Sequence, residues 1–390
     1  MENQDTFGAF IRDEMDIEPL GEGKLDRLSF AVKDVFAVKG HINSAGNPTW
    51  KKTHRPAEKD ADAIRRLLEN GARLRGMTVT DELMYSLKGD NMHYPPTINP
   101  RLPGSFSGGS SSGSAVAVSS GSVDFAIGTD TGGSVRIPSS YCGLYGIRPS
   151  HGLISMDGVI PLAPSFDTVG WMARSPEILK DVGDCLLPGQ KITDYAHFYI
   201  IPEAWDLIEL ESVKKNLRTF LTELQLEKSC ESAHLPAATL ADLAETFRVL
   251  QGWEAWQSHG RWIEENHPVF GKDIAGRFEA ASKMKQDEAY HQAAELKADY
   301  TDQLRRFLGR DSLMIIPTTY GPAPARTATF EESEKVRAHT MKLTCIAGVS
   351  GLPQVTLPVL DERGPIGLSF VSGYGTDRQL LEFVKKIAGR

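Results

Sequence analysis

Two serines in this chain stand directly behind paired glycines: Gly108-Gly109-Ser110 and, 24 residues later, Gly132-Gly133-Ser134. Between residues 104 and 134, 18 of 31 residues are Gly or Ser, yet apolar runs (AVAV, VDFAI) interrupt them. A flexible linker lacks such anchors. Small residues here let backbone pack on backbone, or turn successive N–H groups into a concave surface. A serine hydroxyl held in such a turn suits attack on an acyl carbon. That chemistry needs a nucleophile, a base, donors for the oxyanion and an acid for the leaving group.

Ser134 is the leading nucleophile candidate. The backbone N–H groups of Thr131, Gly132, Gly133 and Ser134 form the candidate oxyanion hole. A plainer reading makes Ser134 the cap of a helix that begins at Val135. At the first turn, composition alone leaves Ser110, Ser111 and Ser112 open as the second hydroxyl. Gly109 to Gly113 also fits G-x-S-x-G with Ser111 as nucleophile, and His93 or His151 would then complete a conventional triad. Such an elbow must follow a strand, and the preceding RLPGSFS reads as a loop. Asp130 and Arg136 flank Ser134 and read as structural: Asp130 accepting N–H groups of the glycine turn, Arg136 anchoring the next segment through a forked pair.

These residues need elements to hold them. LSFAVKDVFAVKG (28–40) is rich in β-branched and aromatic residues and reads as strand material. Residues 57–76 carry Ala61, Ile64, Leu67, Leu68 and Ala72 at helical spacing, with Gly71 interrupting late. Residues 110–121 read as a buried helix of small side chains, and 123–130 as a short apolar strand running into the Ser134 turn. From about 190 to 310 the chain is charged and helical. Strand patterns return at 312–319, 352–360 and 365–373, before a closing helix. Strands alternating with helices imply an α/β architecture with a large sheet.

Composition excludes several classes. At 390 residues with 41% hydrophobic content, a large core is available. The net charge of −8 is spread without long like-charge blocks, which argues against a nucleic-acid surface. Cys142, Cys185, Cys230 and Cys345 lie far apart, so neither a zinc site nor a disulfide framework is indicated. The acidic N-terminal segment has no apolar core, and no run is long enough to span a bilayer. A reducing, cytoplasmic setting is the expectation.

The motifs GGSSSGSA (108–115) and GTDTGGSVRIP (128–138), with their 24-residue serine spacing and the upstream LSFAVKDVFAVKG, resemble the amidase signature family of serine hydrolases. The resemblance implies an α/β fold in one large domain spanning 1–390, with a central mixed, twisted sheet covered by helices on both faces. It also implies a Ser-Ser-Lys triad: Ser134 as nucleophile, Ser110 as relay after a cis Gly109–Ser110 bond, Lys33 as ultimate base. The spacing selects Ser110 over its neighbours. Phe30-Ala31-Val32 before Lys33 and Val35-Phe36 after it predict burial, which lowers a lysine pKa. A lysine snorkelling from a strand end is the plainer alternative. The adjacent Asp34 would keep it protonated, except that neighbouring strand residues point to opposite faces.

Within the family the chain resembles plant-type indole-3-acetamide amidohydrolases over most of its length. The likeness is weakest at 190–310, the expected variable, substrate-covering segment. Met84 and Tyr85 fall where relatives place acyl-pocket side chains, which suits an aromatic amide, and Gly109 is assigned to the substrate site; ordinary core packing is the plainer account of Met84 and Tyr85. The expectation is a cofactor-free, metal-free amidase whose partner is a small amide. Neither nucleic acid nor membrane is expected, and a homodimer is left open. Two relatives supply alternatives. One is the longer amidase subunit of glutamyl-tRNA amidotransferase, with its N-terminal helix pair. The other is a non-catalytic receptor, which would be expected to lose one of Lys33, Ser110 and Ser134.

Overall fold

The computed structural model describes residues 5–11 and 15–389. The chain begins with β1 (Ser29–Lys33), α1 (Pro48–Thr53), α2 (Asp62–Glu69) and β2 (Arg73–Thr78). After a single 3₁₀ turn at Glu82–Met84 come α3 (Ser112–Ser119), β3 (Phe125–Asp130), α4 (Arg136–Tyr141), β4 (Tyr145–Arg148) and β5 (Thr168–Ala173). Next are α5 (Pro176–Leu186), β6 (His197–Ile200), α6 (Pro202–Trp205), α7 (Glu211–Glu223) and β7 (Cys230–Ser232). Three long helices follow, α8 (Leu240–Asn266), α9 (Lys272–Ser282) and α10 (Glu288–Leu308). The chain closes with β8 (Ser312–Pro317), α11 (Phe330–Ser350), β9 (Gln354–Val359), β10 (Ile366–Ser372) and α12 (Asp377–Ala388).

The ten strands among the described residues join one mixed sheet in the order β2-β1-β3-β5-β4-β9-β10-β8-β6-β7. Pairing is parallel from β2 to β3 and from β8 to β7, and antiparallel across the middle. Alternation along the strands gives each face its own core. Ala31, Ala126 and Met172 pack with Ala115–Val118 of α3. Phe30, Val32, Phe125, Ile127 and Trp171 belong to the large cluster with Ile64 and Leu67 of α2 and Leu179 and Val182 of α5. Helices therefore cover both faces.

The expected helix at 57–76 is shorter than its apolar spacing suggests. It stops at Glu69, Gly71 adopts φ +95°, and Arg73–Thr78 become a strand. Only Ser29–Lys33 of the 28–40 stretch is strand, because Val35 and Phe36 N–H both turn back to the Lys33 carbonyl. The 190–310 stretch is mainly helical, yet it also contributes β6 and β7, four and three residues long.

Helix α3 sits close to the sheet because its own side chains are small. A Cβ on Gly113 would lie 2.3 Å from the Ala9 carbonyl oxygen and 2.5 Å from the Val79 nitrogen. Backbone atoms cannot yield as a flexible side chain does. Gly113→Ala is expected to cost about 1–3 kcal/mol in urea unfolding. Gly104→Ala, whose Cβ meets nothing within 4 Å, should leave the midpoint nearly unchanged. Equal midpoints for the two variants would contradict this packing.

Candidate active site

Lys33 ends β1 between β2 and β3, and shares its face with Ala31, the face that α3 covers. Its side chain is fully buried. The amine lies 2.7 Å from Ser110 Oγ and donates to Thr129 Oγ1 at 2.9 Å. Burial pulls the amine down to about 7, against the opposing pull of the Asp81, Asp130 and Asp167 carboxylates. Asp34 points the other way, accepting from Asn43 Nδ2 and the Ser44 N–H. The snorkelling alternative is thereby overturned: no part of Lys33 reaches solvent.

Ser110 precedes α3, and the Gly109–Ser110 peptide bond is cis. The Ser110 carbonyl accepts from the Asp81 N–H at 3.2 Å and from Thr80 Oγ1 at 3.0 Å. Gly109 donates its N–H to the Leu87 carbonyl. A Cβ on Gly109 would sit 2.3 Å from Asp81 Oδ2, so only glycine lets that carboxylate close on the turn. Burial raises the Asp81 carboxyl to about 6, against hydrogen bonds from the Gly89 N–H and Ser86. Ser111 and Ser112 direct their hydroxyls to backbone carbonyls, of Thr129 and Val79 respectively. Their geometry leaves Ser110 as the hydroxyl that meets Lys33.

The second turn is built around Asp130, at the end of β3. Its carboxylate accepts the N–H groups of Gly133, Val135 and Arg136, a forked pair from Arg136, and Arg148 Nη1. Burial alone would raise this carboxyl; Arg136 and Arg148 overcome it and hold it well below the usual carboxylate range. Asp130 and Arg136 are thus the scaffold of the turn. This corrects one expected role, since the Gly133 N–H is already donated to Asp130 at 2.9 Å. Among the described residues, no hydrogen bond takes up the N–H groups of Thr131, Gly132 and Ser134.

Ser134 is 3% exposed, and its carbonyl accepts the Ser111 N–H at 3.3 Å, which ties the two serine turns together. Its hydroxyl makes no hydrogen bond with a described residue. The structure thus joins Lys33 to Ser110 through side chains and Ser134 to their neighbourhood through backbone. Helix α4 begins at Arg136 after Ser134, and Val135 caps it without a side-chain hydrogen bond.

Met84 lies inside, with Thr129 Oγ1 donating to its sulfur at 3.7 Å, while Tyr85 packs edge-on against Phe278 of α9 with ring centres 5.0 Å apart. Leu83 and Met84 both hold positive φ, 44° and 61°. Two successive side-chain-bearing residues in that region are strained, and such strain gathers at functional sites. Helices from the 190–310 segment reach the same place. A Cβ on Gly132 would lie 2.7 Å from the Phe247 ring of α8. Neither His93 nor His151 hydrogen-bonds a serine hydroxyl: His93 Nε2 meets Glu82, and His151 Nε2 meets the Pro164 carbonyl. Thr129 and Asp81 escaped the sequence reading, since both act through parallel pairing and a turn contact rather than through a motif.

Among the described residues, no group of three or more His, Cys, Asp or Glu side chains is placed to hold a metal ion. Among the same residues, no helix is long and apolar enough to cross a membrane.

A family model for amidases matches residues 18–197. Amidase 1 of Arabidopsis thaliana is 38% identical over 427 residues, covering 100% of this chain and 99% of that protein. The translocon at the outer membrane of chloroplasts 64 of Pisum sativum is 32% identical, covering 98% of this chain and 70% of that protein. A crystal structure of an amidase superposes with a TM-score of 0.84 at 28% identity, over 95% of this chain and 86% of that one.

The Asp130 cluster sets a stability expectation. Asp130→Asn leaves Arg136 and Arg148 buried without their carboxylate, and should cost about 3–5 kcal/mol in chemical unfolding. A loss below about 1 kcal/mol would contradict the assignment of Asp130 as the scaffold of this turn.

Proposed function

The chain belongs to the amidase signature family and is an amidase, and we propose that its substrate is a small aromatic or arylacetic amide. Hydrolysis passes through an acyl-serine and yields the carboxylic acid and ammonia. The observation that carries this reading is the fully buried contact of Lys33 Nζ with Ser110 Oγ at 2.7 Å.

Near neutral pH a lysine held at about 7 has a substantial neutral fraction. Thr129 helps to orient it. The Thr129 hydroxyl directs its hydrogen at Met84 sulfur, so it accepts from Lys33 Nζ, and the amine lone pair is left for the Ser110 hydroxyl. Ser110 passes its proton to Lys33 and takes the proton of Ser134, whose oxygen bonds to the amide carbon. The N–H groups of Thr131, Gly132 and Ser134 hold the oxyanion. The C–N bond then breaks as Ser110, resupplied by Lys33, protonates the departing nitrogen. Water enters by the same relay, breaks the ester to Ser134 and restores the hydroxyl. A non-catalytic receptor would have no use for a neutral buried lysine.

Met84 and Tyr85 form the acyl pocket in this reading, with α8 and α9 covering it. Filling an apolar pocket with a ring removes about 100 Å² from water, worth ~2–3 kcal/mol. Expressed in the transition state, this favours an arylacetamide over acetamide by roughly 30- to 150-fold in kcat/KM. Met84→Ala should erode that preference more than it slows acetamide. An unchanged preference would remove Met84 from the pocket.

Ser134→Ala and Lys33→Ala should each stay folded and lose several orders of magnitude in kcat. Alanine at His93 or His151 should cost far less. The sign of the pH dependence follows from the base: protonated Lys33 is inactive, so kcat/KM should fall below pH ~7 and level off above it. Steady-state assays of ammonia release test all of these. A fully active Ser134→Ala enzyme would sink the mechanism.

A further inference from the structure

Between α9 and α11 lies a cavity of about 280 Å³. It adjoins both glycine turns. Ile137, in its wall, lies against Gly133, and Tyr141, also in its wall, lies against Gly108. Phe106 and Val336 add further apolar lining, which makes the charged groups there conspicuous.

Arg277 of α9 and Arg337 of α11 both line this space, together with the carboxylates of Glu334 and Asp273. Arg337 Nε donates to both Glu334 oxygens, at 3.0 and 3.1 Å. Arg277 Nη2 is left 3.9 Å from Glu334, beyond hydrogen-bond distance, and Arg277 makes no hydrogen bond with a described residue. Its side chain is only 24% exposed. Asp273 also lines the cavity but forms no ion pair with Arg277, while Lys88 lies 3.7 Å from Asp90. Burial and then the nearby Arg337 depress the Arg277 guanidinium, against the opposing pull of Glu334 and Asp273. A mostly buried guanidinium with a like charge beside it and its hydrogen-bonding capacity unused favours an anion, and a carboxylate matches its fork.

The cavity also belongs with the acyl side of the site. Phe278, next to Arg277 on α9, packs on Tyr85, and Arg277 is the leading charge acting on the Tyr85 hydroxyl. We propose that Arg277, assisted by Arg337, binds a carboxylate carried by the acyl group, so that the preferred substrate is an anionic amide. This rests on the amidase reading above and specifies its substrate class.

The test compares phenylacetamide with its 3- and 4-carboxy derivatives, which differ only in the added charge and its position. The wild-type enzyme should favour at least one carboxy derivative by roughly 10-fold or more in kcat/KM, the scale of a hydrogen bond to a charged group. That ratio should fall to about 1–3 in Arg277→Met and be partly kept in Arg277→Lys. Arg337→Met gives a second reading of the same ratio, which should also fall, should the first variant fold poorly. Raising the ionic strength should lower the wild-type preference. Cleavage of all three amides without preference, or a preference unchanged in Arg277→Met and Arg337→Met, overturns this proposal and leaves the amidase reading standing. Failure to cleave any of them overturns this proposal together with the aromatic-amide reading.

Discussion

An amine buried at the end of β1, one strand in from the edge of the sheet, with two hydroxyls as its hydrogen-bonding partners, governs the rest of this molecule. Burying a charged ammonium is costly, and the protein meets that cost by letting Lys33 lose its proton near neutrality. Three carboxylates lie close enough to oppose this, Asp81, Asp130 and Asp167. Asp130 is clamped by Arg136 and Arg148, which sets two cations against its pull on the lysine. Asp81, itself buried, is raised to about 6. Desolvation of the amine prevails over all three.

Bringing that amine to a hydroxyl requires backbones to approach more closely than ordinary side chains allow. Gly128 gives way to Ser111, whose Oγ would lie 2.5 Å from a Cβ there. Gly109 gives way to Asp81, and Gly132 to Phe247. Each contact crosses between segments distant in sequence, so the glycines of the signature are packing requirements of three different neighbours. The sheet supplies the rest: β1 and β3 run parallel and side by side, which sets Lys33 beside Thr129 and puts the Ser134 turn at the same strand ends.

Much of this was legible in the residue order, because the chemistry is local. Ser110 and Ser134 each sit in a turn whose composition announces itself, and the apolar residues around Lys33 announce its burial. What stayed hidden depends on pairing or on long-range packing. Thr129 meets Lys33 only once β1 is known to lie parallel to β3. The Gly133 N–H reads as an oxyanion donor until Asp130 is seen to take it. Strands β6 and β7 are too short to show a period, and the helical spacing of 57–76 continues past the glycine that ends the helix. Nothing in the order of residues joins Arg277 to Arg337, and only the packing of α9 near α11 gives them a shared cavity.

The relay depends on one quantity, the protonation state of Lys33. The direct measurement is an NMR titration of the intact protein carrying ¹³C-labelled lysine, with the Lys33 Cε resonance assigned by its disappearance in Lys33→Met. The expected Lys33 midpoint is about 7, below that of the half-buried Lys297 at about 8 and apart from the solvent-exposed lysines. A Lys33 resonance that titrates near the ordinary lysine value of ~10.4 would mean a charged, inert amine, and would contradict the relay at its source.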